Sequence, residues 1–223
     1  MTPSPPLGHE NQDAEMSESS PLRPLSASQE RKLIDYIDEQ FLEITRGYKK
    51  RNHPPTTLPT LTSYLGTMHP LLTVIMLIQP IYPQASLRTM LLLRLTNESL
   101  TSIIGYEPTS QELPTLLRFL DELDRGWLTV LHAQAWDAEM LTGVDIVVPV
   151  DSAFTTKPSP VSQTDRTRLR SILSIGTERL EEWLEDIPVN GAVDLPSALD
   201  TLGIKKYFDD IFSRTLTELG EIN

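Results

Sequence analysis

Groups able to move protons or hold a metal are present in this chain, but they are scattered. The four histidines are His9, His53, His69 and His132. His53 and His69 each precede a proline, and His132 has no acidic residue at metal-ligand spacing on its own helical face. A zinc or other transition-metal site needs three or four such ligands converging, usually with a short spacing such as His-Glu-x-x-His, and no such run occurs. The acid pairs Asp121/Asp124, Glu181/Glu185 and Asp209/Asp210 have the residue type for general acid–base work. All three fall where a solvated helix face is expected, so they read as surface charge. Cysteine is absent, which removes disulfides, thiol nucleophiles, thiolate zinc sites and iron–sulfur clusters together. The serine-elbow, phosphate-loop and dinucleotide fingerprints are missing too. The expectation is no catalytic residue, no metal and no cofactor.

Residues suited to binding are easier to find. Ile34, Ile37, Phe41, Ile44 and Tyr48 step by three and four, as in a heptad seam, with Asp35, Asp38, Glu39 and Glu43 on the wet side. Two heptads are too short for a free coiled coil, so the seam either docks on the chain's own core or takes a partner helix. Arg166 and Arg170 share a helical face, with Arg168 between them; they suit an acidic partner or a phosphate, or else pairing within the helix. Trp136 falls at an expected helix end beside an irregular stretch, where it packs locally or anchors a partner. Lys49-Lys50-Arg51 suits a helix C-terminus electrostatically and reads otherwise as a short nuclear localisation signal. Thr2-Pro3, Ser4-Pro5, Ser20-Pro21 and Ser159-Pro160 have the form of proline-directed phosphorylation sites. Asn97-Glu98-Ser99 matches a glycosylation acceptor, but it lies inside an expected helix.

The segment 202–213, LGIKKYFDDIFS, resembles one often seen in haloacid-dehalogenase-like hydrolases. The resemblance covers about a dozen residues. It implies an aspartate nucleophile in an Asp-x-Asp pattern near a chain start. That pattern is absent here, and the segment reads as the start of an amphipathic helix.

The elements that would position these residues are helical. The longest stripe covers 110–136, with Leu113, Leu116, Leu117, Leu120, Leu123, Trp127, Val130 and Leu131 on one face and Arg118, Asp121, Glu122 and Arg125 turned away. Thr109 and Glu112 fit a capping box before it, and Pro114 sits in the first turn. Ser26 and Gln29 make a second capping box, opening a helix over 26–51. A short helix over 58–68 stops at His69-Pro70, and another restarts over 70–79. Ser86 caps a helix over 87–104, with Gly105 as a left-handed C-cap, and a short turn pairs it antiparallel with 110–136. Ser162 and Asp165 open a helix over 162–187, in which Gly176 allows another helix close. A short helix over 196–202, closed by Gly203, and a final helix over 204–219 follow. Within 137–161 the pattern is lost, and 144–150 reads as a lone strand or an extended strip.

These readings give an all-α fold, an irregular bundle of about six to eight helices. A disordered tail over 1–25 leads into a single helical domain over 26–223. Eighteen prolines against ten glycines suit many helix stops and few hairpins. The formal charge of −12 disfavours non-specific nucleic-acid binding and anionic membrane surfaces. The most apolar run, 71–78, is too short to span a bilayer. The function expected is a non-catalytic adaptor or scaffold subunit of a larger intracellular complex, nuclear or cytoplasmic, binding other proteins through helix faces; association of like chains is also open. The alternative is an enzyme whose site gathers scattered acids and histidines without a linear motif.

Overall fold

The computed structural model describes residues 24–146, 161–185, 187, 200, 203 and 205–220. The expected tail, apart from residues 24 and 25, and the expected helix over 196–202, apart from Asp200, lie outside the described residues, as do residues 147–160 of the irregular segment. The fold is all-α: α1 (Ala27–Lys49), α2 (Leu61–Met76), α3 (Gln84–Ile103), α4 (Leu113–Leu131), α5 (Gln163–Leu184), α6 (Lys205–Asp209) and α7 (Ser213–Gly220), with one small hairpin, β1 (Ala135–Asp137) and β2 (Thr142–Val144).

Helices α2, α3 and α4 pack on one another at the centre. α1 leans on α2, α5 lies along α3, and α7 bridges α4 and α5. Apolar residues from every helix merge into one continuous core, with Ile37, Leu61, Leu72, Leu92, Leu123, Trp127, Leu169 and Phe212 within it. Several of its polar groups are satisfied locally, while the Ser99 hydroxyl and the Arg88 Nε have no partner among the described residues. The Trp127 indole N–H donates to the Thr96 hydroxyl at 2.9 Å, and Thr96 donates to the Leu92 carbonyl at 2.7 Å.

Local chemistry explains the starts. Ser26 and Gln29 close the capping box on α1, and Ser162 accepts from the Asp165 amide at α5. At α2 the cap is Thr60 with Ser63, three residues later than the expected start. α2 then runs through Pro70 instead of stopping there. Pro70 lacks the N–H that would bond the Gly66 carbonyl, and its ring crowds that residue. Both residues are exposed, so water can take the freed carbonyl, and Gly66 offers no side chain to clash.

Other boundaries moved for comparable reasons. α3 begins at Gln84 after Pro83, so Ser86 is inside the helix and caps nothing. Gly105 is not left-handed; its bare Cα receives the Tyr48 ring, while the Arg51 Nε donates to its carbonyl at 2.9 Å. Thr109 and Glu112 do not form a box on α4. The Thr109 hydroxyl donates to the Glu112 carboxylate, which also accepts the Thr62 amide at 2.9 Å, tying α2's start to α4's. α4 stops at Leu131, and Ala133 at φ 54° turns the chain into the hairpin. Strand β2 finds its partner within the chain, Trp136 facing Gly143. The final helix breaks in two at Asp210–Phe212, where Phe212 takes φ 54° to reach full burial. Left-handed backbone costs roughly 1–2 kcal/mol, and burying a phenylalanine side chain offsets it.

Candidate functional site

Three of the seam residues are used up inside the chain. Ile37, Phe41 and Ile44 are buried in the core, and Ile34 and Tyr48 are half-buried against it. A partner helix therefore does not find this seam open, because α2 packs against α1 there. Tyr48 joins Tyr64 and Tyr106 in an aromatic cluster with ring centroids 5.7–6.1 Å apart, and the Arg51 guanidinium lies 4.2 Å from the Tyr48 centroid. Trp136 is buried on the hairpin and presents no exposed anchor. Arg166 donates to the Glu218 carbonyl at 3.2 Å, and Arg170 to the Leu219 carbonyl. The two arginines thus cap the last turn of α7, where unpaired carbonyls and the negative dipole end favour cations. Spacing put them on one face correctly, but what that face meets is the chain's own C-terminal helix.

The charge that matters lies on α4. Asp124 is 1% exposed and Glu122 is 5% exposed, so the expectation of a wet face over 118–125 fails for both. α7 crosses α4 and buries the side that carries Asp124. Asp124 accepts from the Arg214 Nε at 2.7 Å and from the Thr215 amide at 3.1 Å, and the Thr215 hydroxyl points at the same oxygen. Arg214 also reaches Asp121, which takes Arg125 at 2.5 Å. Partial burial works against the Arg214 charge, and the two carboxylates outweigh it, holding the guanidinium above its ordinary value. At the far end of α7, the Glu218 carboxylate is 3.2 Å from the His132 Nε2. Glu122 instead meets the His69 Nε2 at 2.8 Å.

Beside this lock lies a cavity of about 910 Å³ between α4, α6 and the start of α7. Leu117, Leu120, Ile211 and Phe212 give it apolar walls, with Tyr207 and Pro114 toward solvent. Arg118, Arg125, Lys206 and Arg214 line it with positive charge, against Asp121, Asp124 and Asp210. A second hollow of about 400 Å³, lined by His132, Gln134, Leu141 and Gly143, adjoins the same Arg125 and Arg214. Together they make a groove along α4. Tyr207 is 67% exposed here.

The geometry suits binding better than proton transfer. A general base needs a carboxylate free to accept, and both acids nearest the cavity floor are held by arginines. The His69–Glu122 pair has the form of a base and its orienting acid, but among the described residues no hydroxyl bonds the His69 ring. No group of three histidines or acids that could hold a metal ion occurs among the described residues. Sequence reading missed Lys206, Tyr207 and Arg214 as a group, because only the break at Phe212 swings them over α4. Among the described residues no helix is long and apolar enough to cross a membrane. Compared with protein-family models, curated proteins and solved structures, the chain matches none.

Proposed function

We propose that this chain is a non-catalytic protein-interaction subunit, an adaptor or scaffold in a larger intracellular complex, and that it docks its partner in the groove between α4 and α6–α7. The observation that carries the reading is the cavity of about 910 Å³, apolar at its base and charged at its rim, with Asp121 and Asp124 engaged structurally. Protein-binding grooves combine an apolar centre with a polar rim in this way. The reading replaces the surfaces expected from sequence, since Ile37, Phe41 and Ile44 of the α1 seam and Trp136 are buried and Arg166 and Arg170 face α7. A nuclear or cytoplasmic home fits a cysteine-free, acidic chain.

The test is quantitative affinity purification of tagged wild-type chain beside Tyr207→Ala, with circular dichroism confirming that the variant is folded. Tyr207 is exposed, so its truncation should leave stability within about 0.5 kcal/mol. A stoichiometric protein partner retained by the wild type and lost from the variant is expected. Equal recovery of every partner by the two proteins would reject the groove as the docking surface.

A further inference from the structure

The geometry points to an acidic, amphipathic segment of another protein as the occupant of the groove, an inference that rests on the protein-binding reading above. The chain carries a net charge of −12, yet this cavity is lined by four cations against three acids. Pairing within the cavity removes two charges of each sign and leaves the same excess of one cation at the rim. Asp124 is buried under Arg214 and Thr215, and Asp121 is shared between Arg125 and Arg214. Arg118 and Lys206 are exposed, and among the described residues neither has a carboxylate within ion-pair distance. Asp210 is the opposing exposed acid.

An occupant must satisfy two demands at once. The apolar base, with Leu117 and the exposed Tyr207, asks for apolar side chains. The cations at the rim ask for carboxylates. An amphipathic helix with leucine-type residues on one face and glutamates along its flanks meets both, as helix-in-groove recognition does elsewhere. A basic segment meets the like charges of Arg118 and Lys206 there. A nucleic acid has no apolar face for the base and is repelled by the chain as a whole. The chain's overall acidity disfavours acidic peptides in general, and the cations at this rim offset it locally.

The experiment uses the full chain and three fluorescein-labelled amphipathic peptides that share a leucine face and carry glutamate, glutamine or lysine on the flanks, read by anisotropy. The glutamate peptide is expected to bind tightest. Arg118→Glu combined with Lys206→Glu should weaken it by about tenfold and strengthen the lysine peptide. Both positions are exposed, so the double variant tests charge and not folding. Glutamate and glutamine peptides binding alike, or a double variant indifferent to peptide charge, overturns the acidic assignment. If Tyr207→Ala still abolishes binding in that case, the groove stands as a docking surface and only its charge preference is lost. If neither variant alters peptide binding, the inference and the docking reading fall together.

Discussion

Asp124 carries more of the structure than its type suggests. A surface aspartate on a helix contributes little, but this one is 1% exposed and receives the Arg214 guanidinium and the Thr215 amide. Replacing it with alanine leaves the buried Thr215 N–H without an acceptor and frees Arg214. Because Arg214 remains half in water, its own charge can be rehydrated, so the loss falls short of that for a fully buried pair. Asp124→Ala is expected to cost about 2–3 kcal/mol, seen as a lower urea midpoint with an unchanged slope. A midpoint within error of wild type would show that α7 is not held through this residue. No local pattern in the sequence separates Asp124 from Asp121, three residues earlier. The difference is which of them α7 covers, and that depends on a contact ninety-one residues away in the case of Asp124 and Thr215.

At the scale of elements, helix starts were the most legible feature where a side chain supplies the cap. Ser26 with Gln29 and Ser162 with Asp165 act as their spacing implies, since capping involves only neighbours in sequence. Starts and stops set by packing were not legible: α3 begins without a side-chain cap, α2 runs through Pro70, and the last helix breaks at Phe212. The α3–α5 crossing is a case where one residue reports the packing. A Cβ at Gly176 would lie 3.2 Å from the Leu100 Cβ and closer still to its Cδ1, and a Cβ neighbour cannot swing aside. Alanine has the better helix propensity by about 1 kcal/mol, but overpacking costs about 1–3 kcal/mol. Gly176→Ala should therefore lower stability by about 1 kcal/mol, read as a fall in Tm. A rise in Tm would mean that the two helices separate at no cost.

For the molecule as a whole, the buried ionisable groups set an alkaline limit. Burial pushes the Tyr64 phenol well above its ordinary value of 10.0, and it pushes Tyr106 up to about 12 although Arg51 pulls the other way. Their folded pKa values are raised, so their contribution is fully present below the unfolded value and is lost as pH rises through the folded one. Above pH 10.0 the unfolded chain releases phenolic protons that the folded chain keeps, and stability falls. Arg88 opposes this. Burial lowers its guanidinium to about 10, so above that pH the unfolded chain binds the extra proton and stability rises. Two tyrosines against one arginine leave a net alkaline loss. Tyrosinate absorbance followed beside far-ultraviolet circular dichroism should show Tyr64 and Tyr106 ionising late, together with helix loss. All six tyrosines titrating before any helix is lost would contradict this.

Read alone, the order of residues determined that the fold is helical, which faces are apolar, and where two of the caps lie. Periodicity and capping are properties of near neighbours, and they survive without knowledge of the rest of the chain. It did not determine which stripe stays open. The heptad of α1 and the exposed face of α6 look alike as strings, yet Phe41 is 2% exposed and Tyr207 is 67% exposed. Tertiary structure decided that the centre of the α1 seam is buried, that Asp124 and Glu122 lie inside, and that Arg118 and Lys206 flank one cavity. The physical reason is that burial depends on what crosses over a residue, and crossings join parts of the chain far apart in sequence.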